Sequence, residues 1–165
     1  MIRRAVRRPE NPAREEMGVR CRILLVLDGG ADGERIVPWV RDLSRAGRIA
    51  VHLLMVRTSP PERAEEAGAA AVIADCLDEI EAAAYLTAIA ADLRDAGLSV
   101  EIEVRFGEAD EAIAGASRRI GADLIALGLE PAGVLRLLRP GRRAKVLALT
   151  GLPVLVVGYR TATAS

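Results

Sequence analysis

Short apolar runs alternate along this chain with segments of helical spacing. "RILLVL" (22–27) is almost wholly apolar and ends at Asp28-Gly29-Gly30, which predicts a buried strand running into a turn. Beyond the turn, Ile36, Val37, Val40 and Leu43 fall on one helical face, with Arg41, Asp42 and Arg45 opposite. Pro38 lies early in that helix, where a missing donor costs least, and Gly47 ends it. "IAVHLLMV" (49–56) predicts a second strand. Residues 57–72, "RTSPPERAEEAGAAAV", predict a surface loop with at most a loose helical turn. A helix is expected over roughly 75–96, with Leu86, Ile89, Ala90 and Leu93 as its apolar stripe and Gly97 as its stop. Asp75, Asp78, Glu79 and Glu81 would then form an acidic helix start, favoured by the helix dipole.

The second half repeats the pattern. In "LSVEIEVRFG", Val100, Ile102 and Val104 alternate with Glu101, Glu103 and Arg105, which predicts a strand with one wetter face. "EADEAIAGASRRIG" predicts a helix with Ala109, Ile113, Ala116 and Ile120 inward. "ADLIALG" (122–128) predicts a fourth strand, helix signals resume at 138–149, and "PVLVVGY" (153–159) predicts the last strand.

Strands alternating with helices imply an α/β fold: a single-domain, five-stranded parallel sheet with helices on both faces and right-handed crossovers. Ligands of such sheets lie beyond the carboxyl ends of the strands, where strand order switches. Asp28, Val56 with Arg57, and the segment after the fourth strand are therefore expected to converge. The last strand is expected at an edge. An exposed apolar edge invites pairing, and the same strand of a second copy would cover it through a two-fold contact.

Composition narrows the picture. The 165 residues suit one domain, expected over 19–159, with an extension at 1–18 and a short tail at 160–165. One Trp, two Tyr and one Phe leave a core of Ala, Val, Leu and Ile. With 23 basic and 23 acidic residues, no bulk field draws nucleic acid or an anionic membrane. No apolar run approaches the ~20 residues that span a bilayer. The start, "MIRRAVRRPENPAREE", is arginine-rich and lacks the apolar stretch of a secretory signal. Its composition predicts a disordered basic arm; alternatively Met17 is the natural beginning. The cysteines, Cys21 and Cys76, match no metal spacing and are expected to be reduced, small apolar residues of a cytoplasmic protein. His52 is expected to be a packed or edge histidine. The sequence contains no GxSxG, no GxGxxG after the first strand and no calcium-loop spacing, so neither catalytic nor metal-binding residues are assigned.

The pieces "ILLVLDGGADGERIVPWVRDLSRAG", "AVHLLMV", "YLTAIAADLRDAGLSVEIEVRFGEADEAIAGAS", "GADLIALG" and "LPVLVVGY" come in an order and spacing that resembles the universal stress protein family. The resemblance implies an adenine nucleotide alpha hydrolase-like fold and a homodimer. In one branch it also implies ATP binding through G-x2-G-x9-G-[ST]. Here Gly128 and Gly141 hold two signature positions, while Pro131 and Arg142 replace the second glycine and the Ser/Thr. Asp28 matches the first-strand aspartate that lies near adenine in the family, and Val56 follows the second strand. The cofactor-binding set implied is Asp28, Val56, Gly128, Gly141 and Arg142, for an adenine nucleotide, with Mg2+ if it is ATP.

A phosphate cradle needs backbone N–H groups and close approach of the chain. Pro131 has no N–H and its ring fills the space a glycine leaves open. One donor lost to a charged acceptor is worth ~1.5–3 kcal/mol, about one to two powers of ten in affinity. Arg142 acts the other way, as a strong phosphate partner. With Arg136, Arg139, Arg143 and Lys145 it makes the segment basic, which fits either an anion site or a solvated helix face. Glu130 opposes polyphosphate, and Asp28 has a second role open to it, holding the Gly29-Gly30 turn. Two functions follow: a homodimeric stress-response protein with weak or no ATP binding, or an adenine nucleotide-binding switch or weak ATPase taking ATP, AMP or cyclic AMP.

Overall fold

The computed structural model describes residues 18, 21–57, 68–128 and 150–157. Five strands form one sheet: β1 Cys21–Leu27, β2 Ile49–Arg57, β3 Ser99–Phe106, β4 Leu124–Gly128 and β5 Val154–Val156. Their order is β3-β2-β1-β4-β5 and every pairing is parallel. The predicted parallel α/β sheet is therefore present, with the last strand at an edge. The 138–149 helix, residues 158–159 of the last strand, the arm and the tail lie outside the described residues.

β1 is central and reads apolar because both its faces are covered. Ile23, Leu25 and Leu27 face one core with Leu53, Met55, Ile36, Val40, Leu86 and Leu93. Leu24 and Val26 face the other with Leu54, Ile113, Ala116, Ile125 and Leu127. Helix α1 (Val37–Leu43) and helix α2 (Gly68–Asp95) cover the first face, and helix α3 (Ala109–Ile120) covers the second. Of the inward stripes, Leu86, Ala90 and Leu93, and Ile113, Ala116 and Ile120, are buried as their spacing predicts, while Ile89 and Ala109 are partly buried against the same cores. Gly97 ends α2 in a left-handed conformation, φ 86°, so that Leu98 N–H can reach the Leu93 carbonyl at 3.1 Å.

Three local expectations are corrected. Helix α2 begins at Gly68, inside the stretch expected to be loop. Its Ala-rich start has high helix propensity, which outweighs the small-residue loop reading. Asp75, Asp78, Glu79 and Glu81 consequently lie beyond the first turn, which holds no acidic residue, so the dipole does not explain them. Leu43 is exposed: α1 is short and flanked by 3-10 turns at Gly33–Ile36 and Ser44–Ala46, and Ile36 and Val40 carry its buried face. Cys76 is exposed and Cys21 half-buried, both as free thiols; Cys76 follows the outward side of α2.

The wetter face of β3 carries a polar cluster against β2 and α3. His52, 7% exposed, contacts Glu103 Oε2 through Nε2 at 2.6 Å and Glu101 Oε2 through Nδ1 at 3.3 Å. Arg105 Nε donates to Glu103 Oε1 at 2.5 Å, and Arg119 from α3 donates to Glu103 Oε2. His52 is thus packed, as expected, and tied to the edge strand. Burial pushes the Glu103 carboxyl up, but hydrogen bonds from Arg105 and His52 and the charge of Arg119 together hold it below its ordinary 4.5. A depressed carboxylate adds stability that is present above its unfolded value and is lost as pH falls toward its folded one. Denaturant titrations should therefore show wild-type stability dropping below about pH 4.5. Glu103→Gln should be less stable at neutral pH and should converge with wild type in acid. Parallel curves at all pH values would remove this role from Glu103.

Candidate functional site

Strand order reverses between β1 and β4: the chain moves from β1 outward to β2 and β3, then returns to the other side of β1. Leu27 pairs with both Gly128 and Met55. Asp28, Val56 and Gly128 therefore stand at one height on the carboxyl edge, flanking the crevice that such a reversal creates. Gly141, Arg142 and Pro131 lie outside the described residues, as do Glu130 and the basic residues 136–145.

The chain leaving β1 is pressed against the end of β4. A Cβ at Gly33 would strike the Gly128 carbonyl oxygen, and would stand 2.7 Å from Asp28 Oδ1. A Cβ at Gly128 would strike the Gly33 carbonyl oxygen in turn. The obstacles are backbone atoms, so neither position has room for a side chain. Gly128 carries a signature position in the sequence; Gly33 emerges only from the structure.

Asp28 accepts a hydrogen bond from Gly30 N–H at 3.0 Å, and Gly33 N–H donates to the Gly30 carbonyl at 2.9 Å. The aspartate thus holds the Gly29-Gly30 turn, the local role its sequence context allowed. Asp32 precedes the 3-10 turn but makes no capping bond; it pairs instead with Arg35 at 3.2 Å.

Tyr85, which the sequence reading missed, belongs to this end of the molecule together with Arg57, which that reading placed here. The Tyr85 hydroxyl, on α2, is sealed from solvent, close to the Glu34 carboxylate but without a hydrogen bond of good geometry. Burial first, then the charge of Glu34 and its approach to the hydroxyl, then the charge of Asp28, push its ionisation far above the usual tyrosine range. Glu34 and Asp28 are thus both near Tyr85. Arg57 Nε, at the carboxyl end of β2, is likewise buried without a partner. The only sequence signal for Tyr85 was an aromatic residue with a polar tip one position before the Leu86 stripe. Which loop it would meet depended on the strand order.

The opposite edge of the sheet has a shallow groove lined by Arg22, His52, Ser99 and Glu101. It lies at the amino ends of the strands, away from Asp28. Its charged groups are already engaged: Arg22 with the Ile120 carbonyl at 2.8 Å, and His52 with its two glutamates. Among the described residues no group of His, Cys, Asp and Glu could hold a metal ion. None of their helices is long and apolar enough to cross a membrane.

Solved structures share this architecture. Hypothetical protein MJ0577, the subject of a structure-based assignment of biochemical function, matches at TM-score 0.71 and 22% identity, over 86% of this chain and 97% of its own. A universal stress protein from Archaeoglobus fulgidus matches at 0.61 and 17%, over 90% and 100%. A universal stress protein family protein from Arabidopsis thaliana, solved with AMP bound, matches at 0.60 and 13%, over 86% and 93%. At these identities the likeness is one of fold. No curated protein matches. The model of the universal stress protein family matches residues 20–158, which takes in every strand of the sheet, the β1–β4 crevice and the altered G-x2-G-x9-G segment, and the chain belongs to that family.

Proposed function

We propose that this chain is a homodimeric stress-response protein of the cytoplasm that binds ATP weakly or not at all and works through association rather than turnover. The observation that carries the reading is the carboxylate fixed beside the crevice. Asp28 is held there by the Gly29-Gly30 turn, with Glu34 near enough to act on Tyr85 as well. Pro131 and Glu130 add a lost donor and a further carboxylate to the same segment. Equilibrium dialysis with labelled ATP and magnesium should give no saturable binding in the micromolar range. Restoring Gly at 131 and Ser at 142 should strengthen binding by at least ten-fold, and micromolar binding by the unaltered chain would overturn the reading.

A second reading is favoured by the relative solved with AMP bound. A ligand with one phosphate brings less negative charge toward the fixed carboxylate and requires fewer donors. Asp28, Val56, Gly128 and Gly141 would then hold the nucleoside and chain approach, with Arg142 on the phosphate. Calorimetric titration with AMP or cyclic AMP should show binding that Arg142→Ala weakens by ten-fold or more. Equal binding by wild type and variant, or none by either, would sink it.

The dimer is assigned to the free edge of the last strand, 153–159. Ile125 N–H donates to the Pro153 carbonyl at 3.0 Å, so by alternation residues 153, 155 and 157 face β4. Val154 and Val156 then aim their N–H groups outward, available to a second copy. Val156→Pro removes one outward donor and no bond to β4. Sedimentation should show that variant monomeric at concentrations where wild type is dimeric, with its thermal midpoint nearly unchanged apart from the loss of association.

A further inference from the structure

Helix α2 is apolar on two opposite sides. Ala82, Leu86, Ala90 and Leu93 are fully buried against the sheet. Ile73, Leu77 and Ile80 are 61%, 57% and 64% exposed, although each is a large aliphatic residue. At about 100° per residue the two stripes stand roughly 150° apart, so the exposed one faces away from the core. Its spacing of four then three residues is that of a helix-packing seam. A helix apolar on both sides is normally covered on both. The open seam is also acidic. Glu81 borders it, Asp75, Asp78 and Glu79 lie on the same turns but nearer the buried side, and α2 has no Lys or Arg before Arg94. The ion pairs among the described residues lie elsewhere.

We propose that the seam is the docking site of this chain's own first eight residues, "MIRRAVRR". On helical spacing that segment divides cleanly: Met1, Ile2, Ala5 and Val6 fall on one side, Arg3, Arg4, Arg7 and Arg8 on the other, and Pro9 stops the pattern. Its apolar side matches the stripe, and its four arginines are opposite in sign to the acidic turns 75–81, with Glu81 the carboxylate beside the seam. A second copy of α2 would instead set Glu81 and the acidic turns around it against their own kind. The reach is sufficient. Gly18 lies beside the Arg48 side chain, just ahead of β2, at the edge where α2 ends and β3 begins. From Asp95 back to Ile80 the helix is about 23 Å long. The chain from residue 6 to Gly18 extends up to about 40 Å.

Cys76, exposed on α2 beside Leu77, supplies the readout. In the full-length chain carrying Cys21→Ser it is the single thiol. Its alkylation at low salt should be several-fold faster when Arg3→Glu and Arg7→Glu are introduced, and high salt should abolish the difference. Leu77→Glu, at an exposed position, should free Cys76 to the same extent. Hydrogen exchange of the 73–84 amides in the chain with both cysteines intact gives the same comparison independently. Equal rates in parent and arginine variant overturn the proposal. So does protection that grows with protein concentration and survives the arginine changes, which would place a second copy on the seam. Loss of binding to anionic vesicles in the arginine variant, with no change at Cys76, would assign the segment to a membrane surface and overturn it too.

Discussion

The approach of Gly33 to Gly128 sets the form of the functional end. One residue belongs to the 3-10 turn after β1, the other ends β4, and the backbone of each occupies the space where the other's Cβ would stand. The contact locks the departing chain against the strand on the far side of β1. Asp28 is fixed by the same arrangement, because Gly30 N–H must reach its carboxylate for the turn to bring Gly33 into place. Strand order, turn and carboxylate position are thus one constraint: widening any of them would push Asp28 away from the crevice.

That constraint has an electrostatic consequence. A carboxylate held by a turn cannot swing out of the crevice, and Glu34 follows two residues after the first 3-10 turn's N-cap on the same rigid segment. Both charges lie close enough to Tyr85 to favour its neutral form. A neutral base tolerates such surroundings, and its amino group gains from an acceptor. A triphosphate does not, unless donors or a cation offset the field. In the sequence, the segment after Gly128 lacks a donor at Pro131 and carries a cation at Arg142.

Much of this was legible in the sequence because periodicity is a local property. The apolar runs at 22–27 and 49–56 gave strands buried on both faces, and the alternation at 100–105 gave a strand with a polar face. What periodicity could not place was contact between distant segments. Gly33 looked like any loop glycine until β4 lay against it. Tyr85 lay one position before the Leu86 stripe, and only the fold made Asp28 and Glu34 its neighbours. The start of α2 was misread for a different reason: alanine and glycine serve both loop and helix, and the alanines won over the flanking loop signals. The positions 131, 141 and 142 stay where the sequence put them, as expectations carried by a resemblance of motif.

The distribution of unsatisfied polar atoms distinguishes the two ends of the sheet. At the amino edge, Arg22 donates to the Ile120 carbonyl and its own N–H reaches Asp123, while Arg94 donates to the Val100 carbonyl. At the carboxyl edge, Arg57 Nε is sealed without a partner among the described residues, and the Tyr85 hydroxyl lies near Glu34 without a bond of good geometry. A buried donor left unpaired costs about 1–3 kcal/mol, so a fold keeps few of them. Among the described residues the arginines of the amino edge are engaged internally, whereas the less well paired polar atoms lie at the end where strand order reverses.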